Sequence, residues 1–388
     1  MTESTLAAST SNALSHLILA RQVLSVLVSG TPVNQGIEAG AVLGVDWLCR
    51  QGLASLAYGT WQSDERLPSD LKQALKMAYY RNVAQADLQR HELATVLKVL
   101  NEQHLTAVAF KGAALAHTIY LDAACRPMGD LDLWLTAEQM PEAQAALEQW
   151  GYQAKIKASR PLALMIRDRN ELPMYGTHSG SGLVELHWGV FPGEWLQRTT
   201  QIDDAELWAR TKPATLAGQP ALILSPEDNV IQVAVHQAVN HNMSAPWLRG
   251  LVDVALLAQH YSIDWTIIVQ RARAWRVATA VWLVLSLAVD LAGLEEAAET
   301  VQQLRPSALR CRLIGRFANA ESLVAMRDLS ASKWRYVFLL LLVDRVRDAA
   351  KLIFRALWPE REWLTARYGR YTLALRLRHL FSAARGKI

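Results

Sequence analysis

The segment from Phe110 to Leu135 decides the fold, and it reads Phe-Lys-Gly-Ala-Ala-Leu-Ala-His-Thr-Ile-Tyr-Leu-Asp-Ala-Ala-Cys-Arg-Pro-Met-Gly-Asp-Leu-Asp-Leu-Trp-Leu. It predicts a strand that ends at Phe110, a glycine turn, a helix, a loop and a second strand. Because side chains alternate along a strand, Asp130 and Asp132 share one face of the second strand. Two carboxylates on one face beside a glycine turn are typical of a site for a hard divalent cation.

A third acid lies further along the chain, in the strand-like run Leu183-Val-Glu-Leu-His-Trp188. The same alternation places Glu185 and His187 on one face of this run. The sequence therefore offers three carboxylates on two predicted strands.

These blocks resemble the bacterial family of uncharacterised nucleotidyltransferases, within the DNA polymerase β-like nucleotidyltransferase superfamily. The resemblance is carried by Lys111-Gly112, Arg126-Pro-Met-Gly-Asp130-Leu-Asp132 and Glu185-Leu-His187-Trp188. It implies an α+β fold in which a small mixed β-sheet is flanked by N-terminal helices and a larger C-terminal helical domain. It also implies metal-dependent transfer of a nucleotidyl or related phosphate-linked group from an NTP-like donor to a small-molecule or peptide acceptor.

The resemblance also implies roles for individual residues. Asp130, Asp132 and Glu185 would be catalytic and would bind Mg²⁺ or Mn²⁺. Lys111 and Gly112 would contact the donor phosphates. One departure is the pair Gly112-Ala113, where the superfamily usually has Gly-Ser, so one hydroxyl contact to a phosphate is missing.

Two residues beside these blocks have alternative interpretations. Arg126, four residues before Asp130, could bind a phosphate or could clamp Asp122 or another carboxylate. His187, on the Glu185 face, could contact substrate or orient a carboxylate.

A second group, His236, His241 and Asp253, lies in a helical part of the sequence and could reach the cleft to bind substrate. The two histidines are five residues apart, which does not align them on an α-helix and gives no metal-ligand spacing. Structural histidines therefore remain an alternative.

Three regions follow from the pattern along the 388 residues. Residues 1–104 predict an N-terminal helical region, residues 105–215 predict the α/β core, and residues 216–388 predict a C-terminal helical domain.

Composition limits the class of protein. The hydrophobic content of 51% indicates a globular chain, and the net charge of +4 is too small to indicate general nucleic-acid binding. Three widely spaced cysteines and a polar leader predict a cytoplasmic protein. The apolar runs 277–292 and 337–343 predict buried helices, since both are short or interrupted by polar residues, and no membrane span is expected.

Two other functions remain open at this point, and the oligomeric state is undetermined. The first is a nucleotide-binding regulatory protein of the same fold without turnover, which Gly112-Ala113 favours. The second is an RNA-directed transferase that uses the basic C-terminal segment, in particular Arg367, Arg370, Arg376 and Arg378.

Overall fold

The computed structural model describes residues 3–30, 44–154, 170–178, 181–244, 246–329 and 332–384. The N-terminal region is helical, with α1 (Glu3–Ser29), α2 (Gly44–Arg50), α3 (Ala54–Trp61) and the long α4 (Ser69–Glu102). The sequence predicts one helix from about 40 to 61, whereas the structure has two there. The reason is the left-handed backbone of Gly52, whose φ of +69° ends α2 and redirects the chain.

A seven-stranded mixed sheet follows, in the order β3-β4-β5-β2-β1-β7-β6. The central strand β2 runs parallel to β5 and antiparallel to β1, and β1 runs parallel to β7. The strands are β1 (Val108–Ala109), β2 (Asp130–Trp134), β3 (Tyr152–Ala154), β4 (Glu171–Gly176), β5 (Leu183–His187), β6 (Lys212–Leu216) and β7 (Gln219–Ile223).

Short helices connect these strands, and helices make up the described chain after the sheet. Between strands lie α5 (Gly112–Thr118), α6 (Met140–Gln149), α7 (Glu194–Thr199) and α8 (Asp204–Ala209). After the sheet come α9 (Pro226–Val235), α10 (Trp247–His260), α11 (Trp265–Ala274), α12 (Ala278–Ala292), α13 (Ala298–Leu304), α14 (Ala308–Gly315), α15 (Ala320–Val324), α16 (Trp334–Leu342), α17 (Val346–Leu357), α18 (Arg361–Tyr368) and α19 (Leu373–Ala384). A π-helical turn, His236–Asn240, extends α9.

The two faces of the sheet meet different hydrophobic cores. Leu131 and Leu133 of β2 pack into the core beneath α4 and α6. Trp134, on the opposite face, belongs to the larger core formed by the N-terminal and C-terminal helices. The alternation along β2 therefore turns Asp130 and Asp132 toward the helical region.

The α+β class with a mixed sheet and a large helical region is confirmed. Within the described ranges, no helix combines the length and the apolar character that a membrane crossing requires. The sequence predicts a domain boundary between residues 215 and 216. The β6–β7 hairpin crosses this position, so the sheet contains residues from both sides of it. The division into three domains stays a prediction. Residues 385–388, with two basic residues of the C-terminal segment, lie outside the described chain.

The turn between β6 and β7 offers a test of local geometry. Leu216 pairs with Gln219, which leaves Ala217 and Gly218 as a two-residue loop, and their φ angles are +50° and +81°. Such turns favour asparagine before glycine, because asparagine tolerates the left-handed conformation better than alanine. We expect Ala217→Asn to raise the free energy of unfolding by roughly 0.5–1 kcal/mol in urea titrations. Unchanged or lower stability would contradict this description of the turn.

Candidate active site

A cavity of about 560 Å³ lies between the sheet and helices α9 and α10. Every predicted site residue except His187 lines it, and His187 lies just beneath its surface with no exposed area. The predicted residues that line the cavity are Lys111, Gly112, Arg126, Asp130, Asp132, Glu185, His236, His241 and Asp253.

Asp132 lies at the centre of the sheet side of this cavity and is buried. Its Oδ1 accepts a hydrogen bond from Lys111 Nζ at 2.6 Å and lies 2.9 Å from His187 Nε2. Since an ionised carboxylate can only accept, Nε2 carries the hydrogen in that contact. Burial opposes the ionisation of Asp132, but the Lys111 ammonium and the His187 hydrogen bond hold its pKa at about 2.

The strand pairing brings a second carboxylate beside Asp132. Asp132 and Glu185 are direct partners in the parallel β2–β5 ladder. Burial, and after it the charge of Asp132, raises the pKa of Glu185 to about 8. The same two causes raise the pKa of Asp130 to about 6. Full ionisation of all three carboxyl groups would therefore require more positive charge than Lys111 supplies.

Asp132, Glu185 and His187 could hold a metal ion, because one ligand atom from each lies within 4.8 Å of the others. Two carboxylates and one imidazole suit Mg²⁺ or Mn²⁺. The imidazole makes the set more favourable for Mn²⁺ than a set of oxygen ligands alone would be. Asp130 shares the strand face but lies outside this trio. The ammonium of Lys111 occupies part of the coordination space of Asp132, so a cation would compete with it.

The turn at Lys111-Gly112 has a strained and crowded geometry. Lys111 has a φ of +51°, which is unusual for a residue with a side chain. A Cβ on Gly112 would lie 2.8 Å from Arg126 Nη1 and 2.9 Å from Met128 Cβ. Only glycine allows the loop before β2 to pack so closely against the start of α5. Phosphate contact by Lys111 and Gly112 stays a prediction.

Arg126 clamps a carboxylate, as one of its two interpretations expected. Its partner is Asp253 of α10, bound through Nε and Nη2 at 2.8 Å each. Tyr120 donates a third hydrogen bond to the same carboxylate at 2.7 Å. Asp122 instead accepts hydrogen bonds from the Ala124 amide and the Tyr79 hydroxyl. Arg126 therefore joins the loop before the acidic strand to the helical region. Its third nitrogen, Nη1, does not bond Asp253 and lies beside Gly112.

His236 and His241 lie together, contrary to what an α-helical spacing predicts. The π-helical turn places one extra residue in the turn, so the His241 amide donates to the His236 carbonyl at 3.1 Å. The two rings meet edge to face with centroids 4.5 Å apart. Burial, and after it the charge of Lys111, lowers the pKa of both rings, that of His241 to about 4. Both histidines are therefore neutral at pH 7.

Arg249 is a charged residue of the cavity that was not predicted from the sequence. Its Nη1 donates to the Pro127 carbonyl at 2.5 Å, and no carboxylate of the described chain lies within ion-pair distance of it. Burial, and after it the charge of Arg126, lowers its pKa. A signal was present, because Arg249 precedes Asp253 by four residues and so shares its face of α10.

The buried pair of Arg126 and Asp253 predicts a large stability effect. Asp253→Asn leaves the buried guanidinium without a counter-charge, so we expect a loss of about 3–5 kcal/mol in the free energy of unfolding. The double variant Arg126→Met/Asp253→Leu removes both charges and should recover at least half of that loss. Denaturant titration of the three proteins measures both values. A single variant as stable as the wild type would contradict a structural role for the pair.

The acidic cluster predicts how stability depends on pH in metal-free protein. Folding raises the pKa of Glu185 from 4.5 to about 8, so the folded state keeps a proton that the unfolded state releases. The contribution of Glu185 to the free energy of unfolding is fully present below the pKa of the unfolded state. It is lost as pH rises through the pKa of the folded state. We expect melting temperatures in EDTA to fall between about pH 5.5 and 8. Glu185→Gln, which cannot ionise, should show a smaller fall; parallel curves would contradict the assignment.

Comparison with known proteins places the chain in a family. No curated protein matches the chain. A nucleotidyltransferase-like antigenic protein of Paracoccidioides brasiliensis is similar in structure, with a TM-score of 0.38 and 14% identity over 56% of this chain and 93% of that one. Residues 44–293, more than half of the chain and including every site residue described above, match the family described as uncharacterised nucleotidyltransferase. The chain therefore belongs to the family of uncharacterised nucleotidyltransferases.

Proposed function

We propose that the protein is a metal-dependent enzyme of the DNA polymerase β-like superfamily. It transfers a nucleotidyl group, or a related phosphate-linked group, from an NTP-like donor to a small-molecule or peptide acceptor. The observation that carries the proposal is the arrangement of Asp130, Asp132 and Glu185. They lie on two adjacent parallel strands and face a cavity large enough for a substrate.

The carboxylates are the proposed metal site. Asp132 and Glu185, with Asp130 beside them, would hold Mg²⁺ or Mn²⁺, with His187 as a further ligand or as the group that orients Asp132. When bound, the cation supplies positive charge that neutralises the phosphates in the transition state. The raised pKa values of Asp130 and Glu185, caused first by burial and then by the charge of Asp132, support this proposal, because a divalent cation would favour the ionised form of both carboxyl groups.

Cationic groups opposite the acids are the proposed binding site for the donor phosphates. Arg249 has no counter-ion among the described residues, and Arg126 Nη1 and the Gly112 backbone lie beside it across the same loop. Lys111 would be free for a phosphate once another cation replaces it at Asp132. These contacts would compensate for the serine hydroxyl that Ala113 lacks.

Glu185 is the proposed group beside the acceptor, where it would take the proton of the attacking hydroxyl. The helical side of the cavity includes His236, His241 and Asp253, which are proposed to contact the substrate. Asp253 would also hold Arg126 and Tyr120 in position, because it accepts hydrogen bonds from both. Action in the cytoplasm within a biosynthetic tailoring pathway is part of the same proposal.

A regulatory protein that binds nucleotide without turnover is the second candidate. It is favoured by Ala113 and by the ion pair of Lys111 with Asp132, which occupies a catalytic carboxylate. The RNA-directed alternative has less support, because Arg376 of the basic segment packs 5.0 Å from the Trp358 and Tyr371 ring centroids. Such packing explains those aromatics without a nucleic acid.

Thermal stability with Mg²⁺ or Mn²⁺ and each NTP tests the proposal. We expect one nucleotide to raise the melting temperature only when the metal is present, and Asp130→Asn to abolish that rise. Asp130→Asn should leave metal-free stability unchanged or higher, because the charge it removes is unfavourable there. Asp132→Asn is less suitable, since it would leave Lys111 buried without its partner.

Asp87→Asn is the matched control, because Asp87 is an exposed acid on α4 that forms an ion pair with Arg90 and lies outside the cavity. Pyrophosphate release then separates the two candidates: turnover supports the transferase, and binding without turnover supports the regulatory protein. A wild-type protein that no nucleotide stabilises, with either metal, would contradict both.

A further inference from the structure

The helical side of the cavity carries polar atoms that no group of the described residues satisfies. They belong to α9 and the π-helical turn, and four residues there line the cavity: Gln232, His236, Gln237 and Asn240, which we call the polar wall. Gln232 Oε1, His236 Nδ1, Gln237 Nε2 and Asn240 Oδ1 are buried and have no hydrogen-bond partner. Buried polar atoms are nearly always satisfied, so four on one wall call for an explanation.

The neighbouring groups indicate which atom of each side-chain amide lacks a hydrogen-bond partner. Asn240 donates through Nδ2 to the Pro192 carbonyl at 3.0 Å, so its Oδ1 remains as an acceptor. Gln232 Nε2 makes a weaker contact of 3.5 Å with the Val190 carbonyl, which leaves Oε1. A Cβ on Gly250 would lie 2.9 Å from Gln237 Oε1, so that oxygen packs against α10 and Nε2 is left as a donor.

The chemistry of these atoms limits what can bind there. Two amide oxygens require hydrogen donors, whereas phosphates and ionised carboxylates can only accept. An ammonium group could not accept from Gln237 Nε2. A hydroxyl both donates and accepts, so it satisfies either kind of atom. The neutral His236 ring can take either role, depending on its tautomer.

The neighbouring lining fits the same class of ligand. Trp195 of α7 lines the cavity and is only partly buried, so part of its ring is available for an apolar face. A sugar-like ring offers one hydroxyl-rich edge and one apolar face. Fixed polar groups beside an aromatic surface are typical of small-molecule sites.

We propose that the polar wall is a subsite for a neutral, hydroxyl-bearing part of a substrate. The hydroxyls belong either to a polyol acceptor or to the ribose of the nucleotide donor. This inference rests on the proposed function, because it assigns substrate chemistry to the same cavity. Leaving these atoms unsatisfied costs stability in the free protein, and a bound substrate would recover that cost.

The test uses Gln232→Met and Asn240→Leu, which keep the side-chain shape and remove the polar atoms. Gln197→Met is the matched control, because Gln197 Nε2 is also buried and unpartnered but Gln197 does not line the cavity. Each protein is titrated with ribonucleotides and their 2′- and 3′-deoxy counterparts in Mg²⁺. Binding of D-glucose, D-glucosamine and myo-inositol to the nucleotide complex is followed by saturation-transfer NMR.

We expect Gln232→Met to keep or raise the melting temperature of the free protein, since it removes an unsatisfied oxygen and only a weak contact to Val190. Asn240→Leu also removes the hydrogen bond to the Pro192 carbonyl, so a slightly lower melting temperature is expected for it. If the ribose occupies the wall, the wild type prefers the ribonucleotide at least tenfold, and the variants lose this preference. If an acceptor occupies it, the wild type binds a polyol, and the variants weaken that binding at least tenfold without changing nucleotide affinity. The control variant should behave as the wild type does in both cases.

The proposal is overturned if the wild type binds nucleotide but neither distinguishes ribose from deoxyribose nor binds any of the three polyols. It is also overturned if the wall variants bind as the wild type does, or if Gln232→Met lowers the melting temperature by several degrees while Gln197→Met does not. Failure of the proposed function is a different result, in which the wild type binds no nucleotide with metal.

Discussion

The charge balance around Asp132 is the constraint on which the rest of the site depends. This carboxylate is buried on the central strand, and it stays ionised because Lys111 and His187 both contact Oδ1. The parallel pairing of β2 with β5 then adds Glu185 beside it, and Asp130 follows on the same face. One ammonium cannot neutralise three neighbouring carboxylates in a buried place, so their pKa values separate and the group favours a further cation.

The helical region completes the site through one buried ion pair. Arg126 on the loop before β2 and Asp253 on α10 fix the position of the acidic strand relative to the helices. Arg249, one turn from Asp253 on α10, contacts the same loop through the Pro127 carbonyl. The π-helical turn after α9 supplies the opposite wall. Because π-helical turns are rare and are frequent at functional sites, its position at this cavity agrees with a binding role.

Local sequence patterns predicted the part of the site that local geometry determines. Alternation along β2 and β5 placed Asp130, Asp132 and Glu185 on one side of the sheet, and the pairing of the strands then followed from the fold. Contacts between distant segments could not be predicted, because spacing along the chain does not report them. A carboxylate was one of the two partners expected for Arg126, but the sequence could not identify it as Asp253, which lies 127 residues away. The meeting of the two histidines required a π-helical turn, which the α-helical spacing of the sequence does not predict.

The central claim is that the carboxylates of β2 and β5 bind a divalent cation that displaces Lys111 from Asp132. Anomalous diffraction from crystals that contain Mn²⁺ and a non-hydrolysable NTP tests it most directly. The account predicts a manganese peak within coordination distance of Asp132 and Glu185, with Lys111 Nζ moved from Asp132 toward a phosphate oxygen. A bound nucleotide with no metal at these carboxylates, and with the ion pair of Lys111 and Asp132 intact, would contradict it.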